Sequence, residues 1–158
     1  MLVKIMKTLI ISFSYHHKNT DKIAFVFAKA FEAEVKAPSE VDPNSLPDYD
    51  IIGFGSGISF GRHYKDLLEF ADKLPTVTKQ QAFIFSTSGQ ANNGPKFHNK
   101  LRETLQSRGF NIVGEFNCTG SDTYGALKIF GGIQKGHPNE DDIKQAEAFA
   151  LSLKQSLK

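Results

Sequence analysis

The chain has 158 residues, enough for one domain with a full core and too few for two of ordinary size. Its 19 Lys and Arg nearly balance 17 Asp and Glu, and no basic block or basic-aromatic stripe occurs, which argues against nucleic acid as a partner. A single cysteine, Cys118, excludes an internal disulfide and a multi-cysteine metal site, and fits a reducing cytoplasm.

Lys4 and Lys7 precede a short apolar run, but Tyr15, His16 and His17 follow where a signal peptide would carry its small-residue cleavage site. Met6 offers a second start, and residues 1–5 are expected to add little to the fold. No segment is long and apolar enough to span a bilayer. Residues 7–13 read as a buried strand, because Thr8, Leu9, Ile10 and Ile11 run together without a turn residue. Ile23, Phe25, Val26, Phe27, Ala30 and Phe31 then follow a mostly helical period. Between strand and helix lies a loop bearing Ser14, His16, His17, Lys18, Asn19 and Thr20. A loop that ends at a helix start presents unpaired N–H groups and the positive end of a dipole. With those side-chain donors the stretch suits an anion, most simply a phosphate. A plainer role fits it too: Asn19 or Thr20 as helix cap, and the two histidines as exposed loop residues.

Residues 33–36 read as a short strand, and the Pro-bearing stretch 38–50 as a connection with at most one short helix. Residues 50–55 form a buried strand, and residues 55–61 a glycine-rich loop. Residues 64–74 are helical, with Leu67, Leu68, Ala71 and Leu74 on one face and Pro75 beyond the end. Another buried strand spans 82–85, a small-residue loop 86–95, and a helix 96–108, the last stopped by Gly109. Residues 110–117 are the fifth strand, and 118–138 a long loop. Asn139 caps the last helix, with Glu140, Asp141 and Asp142 in its first turn.

Apolar strands without polar alternation imply a sheet covered on both faces, and alternation with helices implies parallel order. The expected architecture is a three-layer α/β sandwich in one domain, with a five-stranded parallel sheet in the order 2-1-3-4-5. A ligand then sits off the carboxyl ends of the strands, at the switch between strands 1 and 3. The loops gathered there are 14–20, 55–61 and 86–94, all rich in Gly, Ser, Thr and Asn. The first offers a phosphate cradle. The second offers flexible backbone and the ring of Phe60, with Tyr64 close behind. The third offers backbone donors and amides for the edge of a flat polar ring. Flavin mononucleotide, FMN, has the shape that uses all three.

Several other chemistries lack their residues. The glycines of 55–61 miss the dinucleotide-binding spacing, and no P-loop is present. Ser12 and Ser14 stand where a receiver domain needs acids, and Tyr124 follows Cys118 where a phosphatase loop needs Arg. Cys118 therefore reads as a packed strand-end residue, and His63, His98 and His137 as surface or cap residues. His16 and His17 lack a third metal ligand at recognisable spacing.

Asn19-Thr20 after a hydroxyl-bearing strand end, Gly-Phe-Gly-Ser-Gly at 53–57 and Ser-Thr-Ser-Gly at 86–89 resemble the flavodoxin family. Residues 118–124, 131–133 and 137–142 resemble a branch of small flavodoxin-like proteins. The resemblance implies FMN as cofactor, cycling by one or two electrons. It implies a phosphate loop at Ser14, His16, His17, Lys18, Asn19 and Thr20. It implies a strand 3 loop, Ser56, Gly57 and Ile58, meeting flavin N5, with Gly57 the position free to turn its carbonyl. Phe60, Tyr64 and Tyr124 are candidates to stack on the ring, Ser86, Thr87, Ser88 and Gly89 border its pyrimidine edge, and Asp122 belongs either to the flavin environment or to a turn.

Lys18 stands where the family's phosphate loop usually has Gly, and no Trp is present to stack on the flavin. Electron-carrier flavodoxins are strongly acidic, which this chain is not. Three functions stay open: an electron carrier served by a protein reductase, an NAD(P)H:acceptor (quinone) reductase with bound FMN, and a flavin-free binding or regulatory module.

Overall fold

The computed structural model describes residues 6–14, 19–89, 94–119 and 138–157. The elements in order are β1 (Thr8–Phe13), α1 (Asn19–Phe31), β2 (Glu34–Lys36), two 3-10 turns (Pro38–Glu40 and Pro43–Asp48), β3 (Ile51–Ser59), β4 (Arg62–His63), α2 (Lys65–Asp72), β5 (Gln80–Ser88), α3 (Gly94–Phe97), α4 (Asn99–Ser107), β6 (Phe110–Thr119) and α5 (Glu140–Ser156). Five strands pair in parallel in the order β2-β1-β3-β5-β6, which is the expected 2-1-3-4-5. The added strand, β4, pairs antiparallel with β3 as a short hairpin.

Alternate strand residues supply two cores. Leu9, Ile11, Ile52, Phe54, Ala82 and Ile84 turn toward Leu67, Leu101 and Leu105 of α2 and α4. Ile10, Phe83, Phe85 and Phe116 turn toward Phe27 of α1 and Ala146, Ala150 and Leu153 of α5. Two-sided burial is why these strands lack polar alternation. On the second face Gly53 pairs with Phe83 and Gly55 with Phe85. A Cβ at Gly53 would stand 2.5 Å from the Phe83 ring, and one at Gly55 2.2 Å from the Phe85 ring. The rings lie across β3 because the glycines leave it bare. Phe27 meets Phe83, Phe85 and Phe116 edge-on, at centroid separations of 5.5, 5.2 and 5.7 Å.

Three boundaries move in ways that matter for the site. The glycine-rich 55–61 is strand as far as Ser59, and the turn is only Phe60-Gly61, with φ of 53° and 78°. Positive φ at both turn residues suits a two-residue hairpin, whose twist matches its strands. The expected helix 96–108 is broken at His98 into α3 and α4, and His98 turns inward at 1% exposure. Strand β5 also continues to Ser88, so Ser86 and Thr87 are ladder residues rather than loop. Asn139 caps α5 as expected, accepting from the Asp142 N–H while the Asp142 carboxylate accepts from its own N–H. Among the described residues no helix is long and apolar enough to cross a membrane.

Candidate functional site

The carboxyl edge of the sheet carries polar groups in register. One rung runs Phe13, Ser56, Ser86, Asn117 across β1, β3, β5 and β6, and the next joins Gly57, Thr87 and Cys118. Apolar strands ending in small polar residues open that edge to a ligand, as the crossover topology requires.

At the first strand end, Ser12 Oγ donates to Asp21 Oδ1 at 2.8 Å, and the Asp21 N–H donates to Ser14 Oγ at 3.2 Å. Ser14 thus accepts one of the orphan N–H groups of the first turn of α1, and its own hydroxyl hydrogen can serve an acceptor. Thr20 is buried, with its hydroxyl 2.8 Å from that of Thr87. That pair ties the start of α1 to the end of β5. It uses one of the two hydroxyl hydrogens and leaves the second for another acceptor. His16, His17 and Lys18 lie outside the described residues, as do Asp122 and Tyr124.

The hairpin supplies the next group. Ser56 is fully buried; its hydroxyl donates to the Gly57 carbonyl at 2.7 Å and accepts from the Tyr64 N–H at 3.0 Å. The Tyr64 ring covers Gly57 so closely that a Cβ there would stand 2.6 Å from Cζ. It meets Phe13 edge-on at 6.2 Å. Gly57 is therefore required by Tyr64 packing, and turning its carbonyl would first break a bond worth about 1 kcal/mol. Ile58 pairs with His63, and Phe60 stands at the tip with 86% of its surface exposed.

Strand β5 supplies the third. Ser86 and Thr87 are buried, Ser88 is 9% exposed, and Gly89 follows. Ser88 Oγ and Asn117 Oδ1 are buried and have no hydrogen-bond partner among the described residues. An orphaned buried hydroxyl at the sheet's ligand edge calls for an outside partner, because leaving it unpaired costs about 1–3 kcal/mol.

Beneath this edge lies a polar cluster that sequence reasoning missed. His98 Nε2 is 2.7 Å from Ser86 Oγ, and His98 Nδ1 is 2.9 Å from Glu115 Oε1. Arg102 donates to both Glu115 oxygens, at 2.7 and 2.9 Å, and Asn117 Nδ2 donates to Ser86 Oγ at 2.6 Å. His63 lies beside His98, ring centroids 5.0 Å apart, with its Nε2 3.1 Å from the Phe85 carbonyl. Burial, then the neighbouring His98, pushes His63 down to about 3. Burial also lowers His98, against the pull of Glu115. Burial works to raise Glu115, but the hydrogen bonds from Arg102 and His98 outweigh it and hold the carboxyl below its usual range. Both histidines are therefore neutral at pH 7. The Glu115 carboxylate can only accept, so it holds the His98 proton on Nδ1; Nε2 is then the acceptor and the Ser86 hydroxyl, which accepts from Asn117, donates to it. A signal for this was present: His98, Leu101 and Leu105 stand at i, i+3 and i+7 on one helix face. Cys118 is buried and its thiol is pushed up to about 12 by burial, so it is a packing residue. Among the described residues no three potential metal ligands come together.

A parallel sheet of this order between two helical layers is the flavodoxin-like fold. Solved flavodoxins share the layout. The oxidised flavodoxin 2 of Bacillus cereus superposes with a TM-score of 0.73 at 18% identity, over 95% of this chain and 99% of that one. The Fusobacterium nucleatum flavodoxin bound to flavin mononucleotide gives 0.67 at 12%, over 96% and 99%. An apo NADH:FMN oxidoreductase gives 0.67 at 17%, over 96% and 89%. No known family profile matches the chain. The chain belongs to one family with the uncharacterized protein MJ0298 of Methanocaldococcus jannaschii, with which it is 51% identical over 148 residues, 94% of this chain and 98% of that protein.

Proposed function

We propose that the protein binds FMN and works as a redox protein of the flavodoxin type in a reducing cytoplasm. One observation carries the reading. The Thr20 and Thr87 hydroxyls meet at the strand-end edge that Ser14 and Ser88 also border, and Ser88 Oγ is buried there with no partner among the described residues. The donor chemistry fits the cofactor. The N-terminus of α1 and the hydroxyls of Ser14 and Thr20, with His16, His17, Lys18 and Asn19 from the same loop, would hold the phosphate. Ser56, Gly57 and Ile58, with Phe60, Tyr64, Asp122 and Tyr124, would border the ring, and Ser86, Thr87, Ser88 and Gly89 its polar edge. The flavin supplies one- or two-electron chemistry when bound; the protein orients it and sets its electronics. One relative of the same fold was solved with flavin mononucleotide, which supports the reading.

The test is direct. Adding the purified apoprotein to FMN should quench flavin fluorescence with one-to-one stoichiometry and perturb the visible spectrum. A colourless protein that quenches nothing would instead be the flavin-free module. The charge of +2 favours a second reading, an NAD(P)H:acceptor reductase, over a carrier docking on a basic partner. Flavin reduction by NAD(P)H alone, insensitive to salt, would support the reductase. A requirement for a protein donor would support the carrier.

A further inference from the structure

The polar chain beneath the ligand edge has two different ends. One end is Glu115 and Arg102, whose side chains are 29% and 24% exposed. The other is Ser86, fully buried, and half-buried Asn117 beside it on β6, where Asn117 Oδ1 and nearby Ser88 Oγ lack partners among the described residues. Every link between the ends is a hydrogen bond of 2.6–2.9 Å: Asn117 to Ser86, Ser86 to His98, His98 to Glu115. The cluster leaves one buried acceptor, Asn117 Oδ1, without a partner among the described residues.

We propose that His98 is a proton acceptor linked to the redox state of a ring bound at the carboxyl edge, charging when that ring gains an electron. The inference rests on the FMN reading above. The groups facing His98 are Ser86 from β5, His63 from β4, Glu115 from β6 and Arg102 from α4. Arg102 and Glu115 cancel, and His63 is neutral, so the cluster carries no net charge and can accept one. The balance is simple. The electron comes from an external one-electron reductant and goes to the ring. The proton comes from solvent and binds His98 Nε2, the nitrogen on the Ser86 side, while Nδ1 keeps its proton toward Glu115. Ser86 then accepts from His98 rather than donating to it, and its hydroxyl hydrogen needs a new acceptor. Rotation of the Asn117 amide supplies Oδ1 for that bond and turns Nδ2 toward the ligand edge. Asn117 Oδ1, without a partner among the described residues, becomes that acceptor only after the amide has turned.

Two residues of strand and one imidazole separate Ser88 from the far side of His98, a path of roughly 10 Å. A negative charge held roughly 10 Å from His98, at an effective dielectric near 20, would move its equilibrium by roughly tenfold. Burial keeps His98 below its ordinary value in the oxidised protein, so the exchange falls on the acid side of about pH 6.5.

The experiment uses the full chain labelled with 15N-histidine and loaded with FMN, uptake being checked first by fluorescence quenching. Imidazole 15N shifts of His98 are followed from pH 4.5 to 8, oxidised and then photoreduced. A titration midpoint about one pH unit higher in the reduced protein supports the inference, and identical midpoints overturn it. His98→Gln should remove the part of the midpoint potential's pH dependence that falls in this interval; an unchanged profile overturns the inference as well. Should His98→Gln not fold, the wild-type 15N titration decides alone. Failure to take up FMN removes the FMN reading and the inference with it, whereas uptake with a redox-independent His98 removes only the inference.

Discussion

The two faces of the sheet start from the same strands and end in opposite chemistry. On the α1/α5 face, Phe83, Phe85 and Phe116 continue an apolar layer around Phe27 up to the rung below the carboxyl edge. On the α2/α4 face the apolar layer stops at Ile84, and Ser86, His63, His98, Glu115 and Asn117 replace it. Phe85 and Ser86 are neighbours in sequence and belong to different worlds, because successive strand residues point to opposite faces. One side is built to hold the fold and the other to hold polar groups at fixed distances. A fully satisfied hydrogen-bond network rigidifies the groups it joins.

The largest effect should come from breaking the apolar side. Phe27→Ala removes the ring on which four others converge, and should cost about 3–5 kcal/mol in urea denaturation. A smaller loss, under about 1 kcal/mol, would mean the face is loosely packed.

The polar side should break with pH instead. The folded-state value of His63 is depressed to about 3, so below about pH 6.5 the unfolded chain binds a proton that the folded chain refuses. Stability contributed by the neutral, buried histidine is complete above pH 6.5 and is lost as pH falls toward 3, by about 1.4 kcal/mol per pH unit from this group alone. Glu115 acts in the same direction lower down, since its depressed carboxyl stabilises the folded state only where the unfolded chain's carboxyl is ionised. Denaturation midpoints from pH 7 to 4 should therefore fall steeply for the wild type and less steeply for His63→Gln. Equal slopes would show that His63 does not titrate with unfolding.

The difference between the faces also explains what was legible in the sequence. The apolar runs at 8–11, 51–54 and 82–85 and the helical stripes read correctly, because burial on both faces leaves an unmistakable composition. The glycines misled. Gly55 and Gly57 suggested a loop, yet they are strand residues kept bare by the rings of Phe85 and Tyr64, contacts no local window contains. His98 reads as a surface or cap residue because a histidine among Lys, Asn and Arg looks solvated; it does stand at the N-cap position of α4, but its side chain is buried. Its burial depends on Glu115, seventeen positions away and brought alongside only by strand pairing. The three polar strand ends, by contrast, were visible as hydroxyl-rich segments, because their placement follows from topology alone.

Gly55→Ala tests that account. The new methyl would stand 2.2 Å from the Phe85 ring, so ring or strand must shift, at about 1–3 kcal/mol. Adding Phe85→Leu should recover part of the loss, since the clash is pairwise. Thr20→Val is milder: it removes the hydroxyl bond to Thr87 at constant shape and should cost about 1 kcal/mol.

The smallest change sharpens the comparison most, because stability and binding should move in opposite directions. Phe60 holds φ of 53° in a two-residue turn whose preferred sequence is Asn-Gly, and Gly61 is already in place. A bulky residue in the left-handed region strains the backbone by about 1–2 kcal/mol, while Asn tolerates it. Phe60→Asn should therefore stabilise the hairpin by about 1 kcal/mol, read as a raised urea midpoint. If the ring is kept there to cover a flavin, the same substitution should weaken FMN binding by tenfold or more in a fluorescence titration. A variant that gains stability and binds FMN unchanged would show that Phe60 is no part of the site, and would leave Tyr64, already lying over Gly57, as the ring on the described hairpin with a place at the ligand edge.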